Sequence, residues 1–335
     1  MMNNKISELW HQLTEENIEG IAKRLYNPEI AYHIYATFDS DETSYGVALS
    51  YSNDIKADIT PFKNLKLLKV SLYNDASFVG SKLLIIELLA PEYKDTFSML
   101  CESLINSVKG LSSEKEVVKK ALNQLEKWRA LFDKTIIGGM STSEQQGLYG
   151  ELSFLEKLLK KNVISTEKAV EFWVGADAAI RDFQGNAWAV EAKTTSTNNP
   201  QKVTINGERQ LDETLLDELY LYHCSVEISN KNGETLLDKI MGIRMALQDN
   251  AFALGKFNEK LLEYGYLDED QQQYQSRCYK IRRESIYEIT KDFPRIKEED
   301  LRNGVGDVNY VIILANCANY IISETKLFNS IKDHE

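Results

Sequence analysis

A chain of 335 residues with 43% hydrophobic and 27% charged side chains has the balance of a globular protein with room for two domains. No apolar run approaches the roughly 18–20 residues of a membrane span, and the start Met1-Met2-Asn3-Asn4-Lys5-Ile6-Ser7-Glu8 lacks a hydrophobic signal region, so a cytoplasmic protein without membrane contact is expected. A net charge of −12 excludes a protein that coats nucleic acid by charge alone, and four scattered cysteines with no CxxC pair argue against disulfides and a structural zinc site.

Residues 5–26 carry apolar positions at helical spacing (Ile6, Leu9, Trp10, Leu13, Ile18, Ile21, Leu25) and predict helix up to Asn27-Pro28. Four strand-like runs follow, Tyr32–Phe38, Ser44–Tyr51, Leu65–Tyr73 and Lys82–Leu89, and Pro91 opens a helix to Val108. Residues 1–110 thus read as a small α+β domain whose aromatic residues belong to its core. Residues 111–140 read as a connector, with a charged amphipathic helix from Glu114 to about Phe132 and a hinge at Gly138-Gly139.

The helix that opens at Ser141–Ser143 has an inward stripe of Leu148, Leu152, Leu155 and Leu159, and Glu151 points into it. A buried carboxylate is costly unless paired or metal-bound, so Glu151 is either a ligand or a stripe-edge residue reaching water. After Trp173-Val174-Gly175, Gly185-Asn186 is a hairpin turn signal flanked by the apolar runs Ala178–Phe183 and Ala187–Ala192. With Gly185 and Asn186 as the loop, Gln184 pairs with Ala187 and Asp182 falls opposite Ala189. Asp182, Glu191 and Lys193 then share one face, with Asp182 the diagonal neighbour of Glu191. Two convergent carboxylates repel unless a cation joins them, and a hard divalent ion favours such oxygen ligands. A lysine beside them can hold a water or a developing phosphate charge, so the set suits metal-assisted phosphodiester cleavage. Asp177 is the rival first carboxylate; a two-residue loop turns it away from Glu191, and a bulge would reverse that.

Beyond Lys193, the stretch Thr194-Thr195-Ser196-Thr197-Asn198-Asn199-Pro200 reads as a polar loop in which Thr195 can offer its hydroxyl to phosphate. Lys202–Ile205 reads as a strand, Gly207-Glu208-Arg209-Gln210 opens a helix to about Leu219, and Tyr222–Ile228 reads as a strand in which His223 is a packed residue rather than a base. Residues 234–264 are helical, with one or two helices around Asn250. Tyr274–Thr290 alternates as a long strand with Tyr279, Ile281, Tyr287 and Ile289 on one side. From Tyr274 to Lys297 there are seven basic and three acidic residues, the positive segment of an acidic chain. Arg277, Lys280, Arg282 and Arg283, interleaved with aromatics, are candidate DNA contacts or the charges of a protected edge strand. Val308–Leu314 reads as a short buried strand.

The residues Gly147-Leu148-Tyr149-Gly150-Glu151-Leu152, Trp173, Arg181-Asp182-Phe183, Glu191-Ala192-Lys193 and Gln210-Leu211 together resemble the PD-(D/E)XK nuclease superfamily. More narrowly, residues 147–210 resemble a bacterial PD-(D/E)XK family carried with restriction or phage-defence genes. One departure is Arg181 where the motif name has proline. The resemblance implies an α/β (α+β) fold: a restriction-endonuclease-like core over residues 141–335, with a mixed central sheet flanked by helices and a C-terminal extension. It implies Mg2+ as cofactor, with Mn2+ able to substitute, held by Asp182, Glu191, Glu151 and the Ala192 carbonyl. Lys193 would position the attacking water, and Gln210 would orient a metal-bound water or touch the DNA backbone. The expected activity is a Mg2+-dependent DNA endonuclease of a restriction or phage-defence system, acting as a homodimer or within a multi-gene complex. A DNA-binding or assembly subunit that keeps the fold without the chemistry is the alternative.

Overall fold

The computed structural model describes residues 4–27, 29–136, 139–175, 179–197 and 200–335. The chain divides into two compact units, Met1–Gly138 with Leu267–Glu269, and Gly139–Tyr266 with Asp270–Glu335.

The first unit begins with α1 (Lys5–Glu15), capped by the Asn4 side chain on the Ser7 amide and burying Ile6, Trp10 and Leu13. The helix does not continue to residue 26. Asn17 and Gly20 adopt positive φ (47° and 74°), which ends it, and Ile21–Leu25 becomes strand β1 instead. Strands β2 (Ile34–Asp39), β3 (Ser44–Ser52), β4 (Leu68–Asn74) and β5 (Ser81–Leu88) complete an antiparallel sheet in the order β1-β2-β3-β5-β4. Val47 and Leu49 of β3 and Leu84 and Ile86 of β5 lie with Leu104 and Val108 of α2 (Lys94–Val108) and Val117 and Ala121 of α3 (Glu114–Ile136). The helix read from sequence as a connector therefore packs on the first unit's sheet. The alternate residues of β3, namely Ser44, Gly46, Ala48 and Ser50, are all small and face the other way.

The second unit begins with α4 (Thr142–Lys161), started by a Ser141/Glu144 capping box and stopped by Asn162 in the left-handed region. After α5 (Thr166–Phe172) come β6 (Phe183–Gln184), β7 (Trp188–Thr195), β8 (Lys202–Asn206), β9 (Glu218–Ser229) and β10 (Glu234–Thr235), then α6 (Leu236–Ala246) and α7 (Ala251–Tyr264). The chain closes with β11 (Cys278–Glu288), β12 (Asn309–Ile313), β13 (Ile321–Ile322) and α8 (Glu324–Asp333). The central sheet has the order β10-β11-β9-β7-β6, with β13 also on β11. It is mixed, since β7 and β9 run parallel and the other pairs antiparallel. One face packs Val190, Tyr222 and Val226 against Leu152 and Leu155 of α4, Ile240 of α6 and Phe328 of α8. The other packs Ala189, Leu221 and Tyr287 against Val203, Ile205 and Ile312 of the separate β8–β12 ribbon.

Three sequence expectations change here. Residues 207–219 form no helix. Gly207 has φ of 123°, and the Arg181 guanidinium takes the carbonyls of Arg209, Gln210 and Asp212, which a helix would use internally. The strand read as Tyr274–Thr290 is shorter, Cys278–Glu288, and a bulge falls at Arg282, between Ile281 paired with Val226 and Arg283 paired with Ser225. One extra residue reverses the alternation, so Tyr279 and Ile281 enter the helix-covered core while Tyr287 and Ile289 enter the ribbon-covered one. The strand Asn309–Ile313 is not buried. Only one face of a two-stranded ribbon can pack, so Ile312 is covered while Val311 and Ile313 stay exposed. Among the described residues no helix is long and apolar enough to cross a membrane.

Candidate active site

The hairpin forms with its turn one residue further on than the sequence suggests. Gly185 donates its amide to the Trp188 carbonyl, and Gln184 pairs with Ala189 and Phe183 with Val190, so Asn186 and Ala187 are the loop. Gly185 is needed for close approach: a Cβ there would lie 2.3 Å from Trp188 Nε1 and 2.5 Å from Glu335 Oε1. Continuing this register by one residue puts Asp182 directly opposite Glu191 rather than diagonal to it. The face is unchanged, because the sum of paired residue numbers moves by two. The first strand is also shorter than expected. At Asp182 it leaves the ladder, and the Asp182 carbonyl accepts from the amides of Val174 and Gly175 at 2.8 and 2.9 Å.

Three carboxylates and a lysine converge. Asp182 Oδ2 accepts from the Ala192 amide at 2.7 Å, so Ala192 enters the site as the donor that orients Asp182. Glu191 Oε1 pairs with Lys193 Nζ at 2.7 Å, and that ammonium also donates to Gln210 Oε1 at 3.2 Å. Gln210 Oε1 in turn accepts from the Asn206 amide at 2.9 Å, so Gln210 positions the lysine from a loop that Arg181 pins. Glu151 reaches in from α4, 6% exposed, its two oxygens accepting from Trp173 Nε1 and Tyr264 Oη at 2.8 Å each. The helix can lie this close because residue 150 is glycine: a Cβ there would sit 1.7 Å from Thr194 Oγ1.

These residues fit a divalent cation. Glu191 Oε2 is buried without a hydrogen-bond partner. A Cβ on Gly175 would stand 2.8 Å from Glu151 Oε2 and 2.9 Å from Asp182 Oδ1, so those two oxygens flank one point that the glycine leaves free. All donors are oxygens, the set a hard ion prefers. Among the described residues, the carboxylates already within 4.8 Å of one another are Asp39, Glu42 and Glu87 of the first unit, while each acid here is turned to a protein donor. Asp177 lies outside the described residues.

Burial dominates the electrostatics. It pushes Glu191 up to about 8, with Asp182 adding to the rise and Lys193 opposing it, and pushes Asp182 up to about 6 against the Ala192 amide and Lys193. Burial and then Asp182 raise Glu151 well above the carboxylate range. For Lys193, burial lowers the pKa, but Glu191 and Asp182 outweigh it, so the ammonium is retained. An unfolded chain ionises these acids near pH 4, so the fold loses stability as pH rises from there through 6 and 8. The metal-free melting temperature should therefore fall between about pH 5 and pH 8, and Mg2+ should offset the fall by binding the ionised acids. Asp182→Asn should flatten the pH dependence, keep or raise the metal-free melting temperature and shrink the Mg2+-induced rise. Calorimetry with EDTA and with Mg2+ checks this, and an undiminished rise in the variant would remove Asp182 from the ligand set.

The expected DNA contacts separate into two groups. Thr195 is a residue of β7 rather than of a loop, and its Oγ1 lies 2.8 Å from Nε2 of buried His223. Burial and then Arg283 push that histidine down to about 4, so it is neutral at physiological pH. Arg282 donates to the carbonyls of Ser196 and Val226, and Arg283 pairs with Ser225, so both stand beside Thr195. Lys280 pairs with Glu227, two residues along β9 from Ser225 and on the same face, so it lies with them, whereas Arg277 lies further along. Arg277 precedes Cys278, which pairs with Ser229, six residues or about 20 Å of strand beyond His223. The roles of Trp173, Tyr264 and Arg181 were not read from sequence; Trp173 and Arg181 lay inside the matching motifs, whereas Tyr264 carried no signal.

The model of the family described as "Putative PD-(D/E)XK family member, (DUF4420)" matches residues 6–315. The chain belongs to this PD-(D/E)XK family. No curated protein and no solved structure gives a match. The match covers both units of the PD-(D/E)XK protein, although the residues quoted from sequence for the resemblance all lie in the second.

Proposed function

We propose that this PD-(D/E)XK protein is a Mg2+-dependent DNA endonuclease of a restriction or phage-defence system, cytoplasmic, and working as a homodimer or as the nuclease subunit of a multi-gene complex. The observation that carries this reading is that Asp182 and Glu151 turn oxygens onto a gap that Gly175 leaves free, with the buried Glu191–Lys193 pair beside Asp182. Asp182, Glu191 and Glu151 would hold Mg2+, with Mn2+ able to substitute. When bound, the ion supplies Lewis-acid charge at the scissile phosphate. Lys193 holds the attacking water and donates to the phosphate as charge develops, and Gln210 keeps its ammonium aimed there. Burial of Glu191 and Glu151 excludes bulk water, which strengthens each of these contacts. Hydrolysis leaves a 5′-phosphate. Plasmid nicking without metal and with Mg2+ or Mn2+ tests the reading; DNA binding without cleavage in either ion would instead make the chain an assembly subunit.

Arg282 and Arg283, exposed beside Thr195, with Lys280 near them, would meet the phosphodiester backbone near the site. Each phosphate contact releases counterions and contributes a slope of about −0.9 in log affinity against log salt. Replacing both with alanine should reduce that slope by up to about 2 and weaken binding alike on all sequences. Binding measured in Ca2+ isolates affinity from chemistry. An unchanged slope would leave these arginines as ordinary edge-strand charges.

A further inference from the structure

The small-residue row of β3 floors a polar patch in the first unit, and three carboxylates gather at one end of it. Asp39 ends β2, Glu42 lies in the β2–β3 turn and Glu87 is on β5, with oxygens all within 4.8 Å of one another. Glu87 is 1% exposed and Asp39 7%, whereas Glu42 is on the surface and leaves the cluster open at its rim. Ser44 Oγ donates to Glu87 Oε1 at 3.2 Å, and Asp39 accepts from the Asp41 amide at 3.0 Å. Lys69 Nζ donates to Glu42 Oε2 at 2.8 Å and stands 3.8 Å from Glu87 Oε2.

A second, independent feature points the same way. Thr37, on β2 and 1% exposed, has a hydroxyl with no hydrogen-bond partner, and Glu87 Oε2 has none either. Thr37 and Glu87 flank Gly46 across the sheet, in register with it on either side. A Cβ on Gly46 would lie 2.4 Å from Thr37 Oγ1 and 3.3 Å from Glu87 Cγ, so the glycine leaves open the space between the Thr37 hydroxyl and the stem of Glu87. A buried hydroxyl without a hydrogen bond, and a buried carboxylate oxygen whose ammonium stands 3.8 Å away without bonding it, each cost the fold stability unless something binds them. Charge identifies what is missing. With all three carboxylates ionised, the single ammonium of Lys69 leaves two negative charges, which one divalent cation would neutralise.

We propose that Asp39, Glu42 and Glu87, with the Thr37 hydroxyl, form a second cation site, separate from the nuclease-type site, that takes a hard divalent ion such as Ca2+ or Mg2+. The donors are all oxygens, as these ions require. Binding there ties the β2–β3 turn to β5 and contributes to the stability of the first unit.

The test is calorimetric titration of the full chain with Ca2+ and, separately, Mg2+, in an Asp182→Asn/Glu191→Gln background that disables the nuclease-type site. One ion per chain should still bind, with a rise in melting temperature. Adding Asp39→Asn and Glu42→Gln should weaken that binding at least tenfold and remove the rise. Should that variant fold poorly, Glu42→Gln alone, at an exposed position, reads the same site. Loss of all binding in the Asp182→Asn/Glu191→Gln background, or no change on altering Asp39 and Glu42, overturns the proposal. Binding that survives the first pair but not the second upholds it even if Asp182 and Glu191 prove to hold no metal.

Discussion

Lys193→Ala should abolish Mg2+-dependent plasmid nicking, with a loss of about a thousandfold or more, and Asp182→Ala and Glu191→Ala should each do the same. The size follows from how few charges are available. Lys193 is the ammonium bonded to Glu191, and Gln210 fixes it from the other side, while the other cation acting on Glu191, Arg181, has its guanidinium engaged by the carbonyls of Arg209, Gln210 and Asp212. The losses should not add if the three groups serve one ion and one water as a unit, as proposed, and a triple variant should be no worse than Lys193→Ala. Lys193→Ala also leaves Glu191 buried beside Asp182 without its hydrogen-bonded cation, so its melting temperature is measured alongside its activity. Substantial cleavage in two of the three single variants would remove the site assignment.

The second large effect is structural. Gly150→Ala should destabilise the protein by about 1–3 kcal/mol or more, since the new methyl would fall 1.7 Å from Thr194 Oγ1 and the helix must back away from the sheet. Glu151 moves with it, so the Mg2+-induced stabilisation should shrink as well. Thr194→Ala removes the nearest clashing atom. Combined with Gly150→Ala it should recover part of both losses, a favourable coupling that denaturation of the two singles and the double measures directly. Additive losses would mean that the helix is not held close by this contact.

Much of the site was legible in the sequence because strand parity is robust. Asp182, Glu191 and Lys193 were placed on one face from a hairpin whose loop was misassigned by one residue, and the error left the face unchanged. Glu151 was legible as a carboxylate inside an apolar stripe. What was not legible depends on contacts between distant residues. Tyr264 meets Glu151 from α7, and the 207–217 loop is kept from becoming a helix by Arg181, nearly thirty residues upstream. Local pattern also failed where a single residue changes the phase: Asn17 and Gly20 divide one apparent helix into a helix and a strand, and Arg282 reverses the alternation of β11. The four small residues on one face of β3 were visible as letters, but the acids that meet above them come from two other strands and a turn.

The bulge on β11 also acts as a ratchet pawl. A plain antiparallel strand can slide along its partner and trade one set of hydrogen bonds for an equivalent set. Here the surplus residue has a single seat, held by the carbonyls of Ser196 and Val226. Sliding would turn Tyr279 or Tyr287 out of its own core. The height of Arg282 and Arg283 beside Thr195 is therefore set by counting along the chain rather than by side-chain reach. Deleting Arg282 should not trim a loop but turn one half of the strand inside out.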